Sequence, residues 1–325
     1  MGLLAFDATR LCAADVDFPM DVMLYSQGSF QLVEQRFDRD DLREISNWWQ
    51  DRMRRSVQDL PSEWTCEDAA QRLSHYALEI SPAPAGKTEC LDQDGNVALE
   101  AWFDRPVEQL SLKSSFEVET LRENPFDFIL ADARMATLPF VYREPLRSAL
   151  APSLDTADES AAVRDFAMSV VNGTGWQTLV FLTALNRTLF DAFRHVVRDD
   201  GPPHPPEVTI RSKEASCRDL AMLFCAACRS MGIAARFVSG YERGAAEQEL
   251  SYMHAWAEVY LPGGGWRGYD PSQGLAVADS HVVVAAAADP RLAAPLSETY
   301  RGAARSKMEF RIAMQVAGDA ASAGA

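Results

Sequence analysis

The stretch from Ser216 to Gly232 constrains the fold more than any other part of the chain. Ser216 precedes an apolar run and is followed three residues later by Asp219, which is the capping-box signature of a helix start. Apolar residues then recur at helical spacing, Arg229 lies in the last turn, and Gly232 follows, as is typical of a helix end. The pattern predicts a buried amphipathic helix with Cys217 in its first turn.

Cys217 occupies a position where a thiol becomes chemically useful. The first turn of a helix presents the positive end of the helix dipole and backbone N–H groups without intrahelical partners, and both stabilise a thiolate. The same N–H groups could hold a developing oxyanion. A free cysteine is more often a small core residue, and we expect this of Cys225 and Cys228 in the apolar middle of the helix. Their CxxC spacing lacks the second pair that a zinc site needs.

A β-hairpin is predicted after this helix. Residues from His254 to Leu261 alternate in polarity as a strand does, Pro262 begins a glycine-rich turn, and a second short strand returns as far as Asp270. A turn centred on Pro262 would place His254 directly opposite Asp270. A turn centred on Gly264 would shift the pairing by a few residues, so the register stays open. Either register places the two side chains near the same end of the hairpin.

Cysteine, histidine and aspartate in this order are the components of an acyl-transfer triad. Cys217 would be the nucleophile, His254 the general base and acid, and Asp270 the carboxylate that orients the imidazole. Each residue also has an ordinary structural interpretation, since a strand histidine is usually a satisfied structural residue and an aspartate before a proline usually forms a turn. Further candidates for the oxyanion site or the substrate cleft are Ser216, Arg218 and Trp256.

Other motifs in the chain do not support a cofactor or a metal ion. Residues 263–268 fit GxGxxG, but they lead into a short strand and not into a helix, so a dinucleotide site is not expected. The acidic turn at residues 92–96 lacks the glycine and the bidentate glutamate of a calcium loop. The remaining histidines show no ligand spacing with acidic or thiol partners; they are His75, His195, His204 and His281. We therefore expect no metal and no cofactor.

The charge of the chain limits its partners and its location. Its 325 residues carry a formal net charge of −16, and the sequence pI is near 4.8. A strongly acidic chain is a poor match for nucleic acids and anionic membranes, so neither is expected as a partner. No apolar run is long enough to span a bilayer, and the first residues do not resemble a secretory signal. Six cysteines are few for this length, and together these features favour a cytoplasmic protein.

Local patterns predict a β-rich N-terminal domain at 1–140, a catalytic core at 141–316 and a flexible tail at 317–325. The N-terminal domain contains strand patterns around a turn at residues 94–96 and one helical insertion at 38–55. The core begins with helices predicted at 159–171 and 176–197. The expected fold class is α+β, with a cysteine-bearing helix packed on an antiparallel sheet that carries the histidine and the aspartate.

Three segments resemble the bacterial transglutaminase-like superfamily, a branch of the papain-like cysteine enzymes. They are SCRDLAMLFCAACRSMGIAARFVSGY, HAWAEVYLPGGGWRGYDPSQG and, more weakly, VTIRSKEAS, and together they cover about residues 208–275. The strand-rich stretch before the core is similar to the β-sheet N-terminal region of this family. The resemblance implies a papain/transglutaminase-like core with Cys217 as nucleophile, His254 as general base and acid, and Asp270 as its orienter.

The expected function is therefore cysteine-dependent acyl transfer on a peptide or glutamine-type amide, through a thioester acyl-enzyme. Attack by water would make the protein a peptidase or deamidase, which is the outcome we favour. Attack by an amine would make it a transglutaminase or amide synthase, and a catalytically silent peptide-binding module is the alternative of another class. The sequence after His281 departs from the family pattern, so no substrate preference is carried over from the family. The oligomeric state is left open.

Overall fold

The computed structural model describes residues 21–26, 29–34, 70–198, 201–243, 253–297 and 308–315. The chain divides into two compact units, Met1–Ser62 and Glu63–Ala325. In the first unit, β1 (Asp21–Ser26) and β2 (Ser29–Glu34) form an antiparallel hairpin. The predicted helical insertion at 38–55 and the predicted tail at 317–325 lie outside the described residues, and the predicted domain boundary near residue 140 stays a prediction.

The described part of the second unit begins with the strands that the sequence predicted. They are β3 (Gln71–Ser81), β4 (Gly86–Leu91), β5 (Val97–Trp102) and β6 (Ser111–Thr120). β3 pairs antiparallel with β6, and β4 pairs antiparallel with β5. Gly95 lies in the turn between β4 and β5 with φ at 85°, a left-handed conformation that glycine adopts without steric cost. The predicted hairpin around residues 94–96 is therefore confirmed.

The α-helices of the described residues are α1 (Leu146–Ala149), α2 (Ala161–Asn172), α3 (Thr178–Ala192), α4 (Pro206–Ser212) and α5 (Cys217–Ser230). Ser160 caps α2, because its hydroxyl accepts a hydrogen bond from the N–H of Val163. α5 is the helix that the capping box predicted. Within the described residues, no helix is long and apolar enough to cross a membrane.

The chain after α3 forms a strand, so the prediction that this helix continues to residue 197 is wrong. Phe193 adopts an extended conformation, and its buried ring packs 6.2 Å from that of Phe166. The next residues form β7 (Arg194–His195), which pairs in parallel with β8 (Glu214–Ala215). Helical periodicity is a local signal, whereas this pairing joins segments that lie 20 residues apart in the sequence.

A five-stranded antiparallel sheet completes the unit, in the order β12-β11-β10-β9-β13. Its strands are β9 (Ala235–Glu242), β10 (Met253–Leu261), β11 (Gly265–Asp270), β12 (Leu275–Ala276) and β13 (His281–Ala287). Residues 263–268 lead from a turn into β11 and open no helix, which agrees with the rejection of a dinucleotide motif.

The turn between β10 and β11 sets the register of the hairpin. Leu261 lies opposite Gly265, so the turn is centred on Gly263, midway between the two predicted centres. Gly263 has φ at 94°, and a Cβ at this position would lie 2.1 Å from the carbonyl oxygen of Ile129. Both the backbone conformation and the close approach of another chain segment therefore require glycine here.

α5 packs against strands β9 and β10 and against helices α2, α3 and α4. At its start, the Asp219 carboxylate accepts hydrogen bonds from the backbone N–H and the hydroxyl of Ser216, which forms the predicted capping box. Gly232 follows its end with φ at 79°, as predicted. Cys225 and Cys228 are fully buried, and burial raises the pKa of both thiols, as expected of core residues. The unit has the predicted α+β fold.

Two buried side-chain amides join the N-terminal strands to β13. The Gln71 amide donates to the carbonyl of Val283 at 2.9 Å and accepts from its N–H at 2.8 Å. The Asn96 amide makes the same pair of bonds to Ala286, at 3.0 Å and 2.9 Å. β13 is the last strand of the sheet, and these amides satisfy backbone groups that an edge strand would otherwise leave unpaired.

Candidate active site

The ends of neighbouring strands bring ionisable side chains to one edge of the sheet. Glu242 is the last residue of β9, His254 is the second residue of β10, and Asp270 is the last residue of β11. His281, the first residue of β13, lies opposite Glu242 in the register. Because adjacent strands run antiparallel, the end of one strand lies beside the beginning of the next, which groups these side chains together.

His254 and Asp270 are in direct contact. Nε2 of His254 lies 2.6 Å from Oδ2 of Asp270, and the two side chains are 12% and 0% exposed. The observed register places Asp270 two residues away from the position directly opposite His254. Alternate residues of a strand share a face, so this offset keeps both side chains on one face and within reach of each other. The predicted proximity of the two residues is therefore observed.

The second oxygen of the Asp270 carboxylate is held by the turn that follows β11. Oδ1 accepts hydrogen bonds from the N–H and the hydroxyl of Ser272, at 2.9 Å and 2.7 Å, and from the N–H of Gln273 at 3.2 Å. Burial acts to raise the pKa of Asp270, but hydrogen bonds from His254 and His281 outweigh burial and lower it below its usual range. The carboxylate is fixed in orientation and remains ionised.

His281 is a residue of the site that sequence analysis missed. Its Nε2 lies 3.0 Å from Oδ2 of Asp270, and its Nδ1 lies 2.9 Å from the hydroxyl oxygen of Ser280. The side chain is fully buried, and its ring centroid lies 5.0 Å from that of Trp256. No spacing in the sequence pairs His281 with an acidic residue, because β13 pairs with β9 and so reaches the site from a distant part of the sheet.

Cys217 begins α5, is half-buried, and meets three hydrogen-bonding groups at its sulfur. These are the side chains of His195 and His254 and the backbone of Ala255. Burial acts to raise the pKa of the Cys217 thiol, but hydrogen bonds from the two imidazoles and the charge of His254 lower it to about 6. A thiol with this pKa is largely ionised at neutral pH.

His254 carries the complementary positive charge. Burial acts to lower its pKa, but its hydrogen bonds to Asp270 and Cys217 and the charges of both raise the pKa of His254 to about 10. Since Nε2 is bonded to Asp270, Nδ1 is the nitrogen left to face the sulfur. The site therefore holds a thiolate and an imidazolium side by side at neutral pH.

His195 is the second histidine that sequence analysis missed. The sequence shows no ligand spacing between His195 and a thiol, yet its side chain lies within hydrogen-bonding reach of Cys217. The predicted extension of α3 through residue 197 would have placed His195 on a helix, whereas it lies on β7. No local signal in the sequence pairs His195 with a cysteine far along the chain.

The other three candidate residues are placed by the structure as follows. Ser216 is buried, and its N–H and hydroxyl both donate to Asp219. Arg218 is half-buried, and its guanidinium donates to the carbonyl of Arg198. Trp256 is fully buried, with its ring 6.2 Å from that of His254 at an interplanar angle of 28°. Trp256 therefore packs behind the imidazole, and a role in the cleft stays a prediction for all three.

A metal ion could use one group of side chains in the described residues. One donor atom from each of Glu242, His254, Asp270 and His281 lies within 4.8 Å of the others. Nε2 of His254 and Oδ2 of Asp270 are bonded to each other at 2.6 Å, so an ion coordinated by both would displace the bond that orients the imidazole. In the structure, the bonds at this cluster join Asp270 to His254 and to His281.

Two family models match the chain. Residues 167–271 match the transglutaminase-like superfamily, and residues 65–119 match the bacterial transglutaminase-like N-terminal region. Residues 167–271 thus resemble the core of that superfamily. The resemblance seen in the sequence is thereby confirmed, and the first match includes Cys217, His254 and Asp270.

The similar relatives of known sequence are themselves uncharacterized proteins. A Mycobacterium leprae protein is 35% identical over 91 residues, which are 26% of this chain and 32% of that protein. The alignment thus spans about a third of that relative's length. A Mycobacterium bovis protein is 25% identical over 228 residues, which are 66% of this chain and 72% of that protein.

One protein of known structure has a fold similar to that of this chain. A Cytophaga hutchinsonii protein provisionally assigned as a cysteine protease superposes with a TM-score of 0.53 and 21% identity. The superposition covers 71% of this chain and 75% of that protein, so the two share a fold. The match to the transglutaminase-like superfamily supports an enzyme of the general cysteine-dependent kind.

Proposed function

We propose that the protein is a cysteine hydrolase that cleaves a peptide or glutamine-type amide through a thioester acyl-enzyme. The observation that carries this proposal is the arrangement at one sulfur. Cys217 contacts His254, and the far nitrogen of His254 is bonded to a buried carboxylate of Asp270 at 2.6 Å. This is the geometry that nucleophile, base and orienter need for acyl transfer.

In the acylation step, the Cys217 thiolate attacks the carbonyl carbon of the amide, and the carbonyl electron pair moves onto oxygen. Backbone N–H groups in the first turn of α5 stabilise that oxyanion, because they have no intrahelical partners. The imidazolium of His254 donates its Nδ1 proton to the leaving nitrogen as the carbon–nitrogen bond breaks. A thioester on Cys217 and a free amine, or ammonia, are the products.

In the deacylation step, His254 is neutral and removes a proton from the attacking nucleophile. Water gives a carboxylic acid, restores the thiolate and returns the proton to the imidazole. An amine in place of water would give a new amide. Cys217 is half-buried and its neighbour His195 is exposed, so water can reach the sulfur, and this favours hydrolysis.

The proposed partner is a peptide or a protein that presents an amide, and the proposed location is the cytoplasm. The four cysteines among the described residues, Cys90, Cys217, Cys225 and Cys228, are all free thiols, which suits a reducing compartment. The formal net charge of −16 argues against nucleic acid as a substrate.

Thiol alkylation at about pH 6 separates an active enzyme from a silent binding module, because only a thiolate reacts. We expect one fast-reacting cysteine, lost in Cys217→Ala and slowed in His254→Ala. Cys90→Ala is the matched control, since Cys90 is an exposed free thiol away from the site, and fast labelling should survive its removal. Uniform slow labelling of all the thiols would contradict the proposal.

Glutamine-bearing peptides incubated with a labelled amine separate hydrolysis from transfer. We expect ammonia release, or peptide cleavage, without uptake of label, and no reaction with Cys217→Ala. Incorporation of the amine would show that an amine, and not water, resolves the acyl-enzyme.

A further inference from the structure

The backbone around His195 is fixed next to the start of α5. The N–H of Arg194 donates to the carbonyl of Lys213 at 2.8 Å, and the N–H of Val196 donates to the carbonyl of Ala215 at 2.9 Å. These bonds belong to the parallel pair β7 and β8, in which His195 lies opposite Ala215. Since Cys217 follows Ala215 by two residues, the pairing holds His195 beside the first turn of the nucleophile helix.

The side chain of His195 lies within hydrogen-bonding reach of the Cys217 sulfur, and the residue is exposed. His254, the other imidazole at this sulfur, has a side chain that is only 12% exposed and comes from the end of β10. Two imidazoles from separate elements therefore contact one sulfur.

The surroundings of the two imidazoles differ in charge. His254 is backed by the Asp270 carboxylate, as the base of a triad must be. In the described part of the chain, no carboxylate is hydrogen-bonded or ion-paired to His195, and the nearby Glu214 is paired with Arg194. His195 thus has the placement of a hydrogen-bond donor, and none of the described residues gives it the carboxylate partner that a general base uses.

We propose that His195 is a further catalytic residue, whose imidazole N–H donates first to the Cys217 sulfur and then to the oxyanion formed on the attacked carbonyl. The oxyanion is bonded to the carbon that the sulfur attacks, so a donor that already reaches the sulfur lies close to it. His195 would act together with the backbone N–H groups at the start of α5. The inference rests on the proposed function of the same site.

Two reagents separate oxyanion stabilisation from mere thiol reactivity. p-Nitrophenyl acetate acylates the sulfur through an oxyanion, whereas iodoacetamide alkylates it without one. In His195→Phe we expect acylation to slow by about 100-fold, as on loss of one oxyanion donor. Alkylation at about pH 8.5, where the thiolate is fully formed, should change by less than roughly threefold. His195→Gln restores an N–H donor and should recover most of the acylation rate.

His75→Gln provides the matched control, since His75 is an exposed histidine on β3, and both rates should match those of the unaltered protein. An equal loss of acylation and alkylation in His195→Phe, or no loss of either, would overturn the inference. Both reagents react with the sulfur itself. If the sulfur is acylated as expected but the protein hydrolyses no amide, the proposed function is contradicted and this inference remains supported.

Discussion

Oδ2 of Asp270 is shared by two imidazoles, with Nε2 of His254 at 2.6 Å and Nε2 of His281 at 3.0 Å. A second histidine therefore bonds the same carboxylate oxygen as the histidine of the proposed triad. His281 is buried with no exposed surface on its side chain, and it bonds the oxygen that also contacts the His254 imidazole. A carboxylate bonded at both of its oxygens cannot rotate freely, which keeps His254 aligned with the sulfur.

Loss of His281 should weaken both stability and catalysis. In His281→Ala the buried Asp270 oxygen loses one donor, and we expect the free energy of unfolding to fall by about 1–3 kcal/mol. His281→Asn retains an N–H donor, so its free energy of unfolding should fall by less. Urea denaturation measures the first effect, and the acylation rate with p-nitrophenyl acetate measures the second. An alanine variant as stable and as reactive as the unaltered protein would show that this bond does not support the site.

The rate of amide hydrolysis should show a bell-shaped dependence on pH. Below the pKa of Cys217, about 6, the sulfur is protonated and cannot attack, so the rate rises as pH increases through this value. Above the pKa of His254, about 10, the imidazolium loses the proton that the leaving amine needs, so the rate falls. A kcat/KM profile measures both limbs, and a rising limb near the ordinary thiol pKa would contradict the ion pair.

Removing the charge of Asp270 should narrow the pH range in which the enzyme is active, at both its acidic and its alkaline limit. In Asp270→Asn the imidazolium loses its anionic partner, so the pKa of His254 falls and the descending limb moves to lower pH. The thiolate then loses part of its own stabilisation, and the pKa of Cys217 rises. The pH dependence of iodoacetamide alkylation measures the second shift. Asp191→Asn, at an exposed residue of α3, is the matched control and should leave the profile unchanged.

Asn96 should stabilise the attachment of the N-terminal strands to the core. Its amide is 5% exposed and makes two hydrogen bonds to the backbone of Ala286. Asn96→Ala leaves those backbone groups without partners, so the free energy of unfolding should fall by about 1–3 kcal/mol. Asn172→Ala, at an exposed position, should change it by less than about 0.5 kcal/mol. Equal effects of the two substitutions in urea denaturation would contradict this role.

The turn between β10 and β11 offers a matched pair of glycines. Gly263 and Gly265 both have positive φ, at 94° and 70°, so alanine at either position is strained by about 1–2 kcal/mol. A Cβ at Gly263 would also lie 2.1 Å from the carbonyl oxygen of Ile129, whereas a Cβ at Gly265 meets open space. Gly263→Ala should therefore destabilise the protein more than Gly265→Ala does. The reverse order in urea denaturation would contradict the observed turn.

Features encoded over short distances were predicted correctly. The capping box of Ser216 and Asp219 identified the start of α5, and with it the position of Cys217. Strand alternation around the glycine-rich turn placed His254 and Asp270 near one end of a hairpin. The exact register was left open, because a glycine-rich turn permits more than one centre. The structure centres the turn on Gly263, where a Cβ would lie 2.1 Å from the carbonyl oxygen of Ile129.

The sequence by itself determined three features: the position of Cys217 at a helix start, the hairpin that follows this helix, and the likeness to the transglutaminase-like superfamily. Each of these is encoded in a local pattern. Only the tertiary structure decided which other side chains meet at the sulfur and the carboxylate. His195 lies near the sulfur because residues 194–195 form β7 and pair with β8, although helical periodicity favoured a longer helix there. His281 lies at the carboxylate because β13 pairs with β9. Strand pairing between distant segments is selected by the packing of the whole unit, and no spacing in the sequence specifies it.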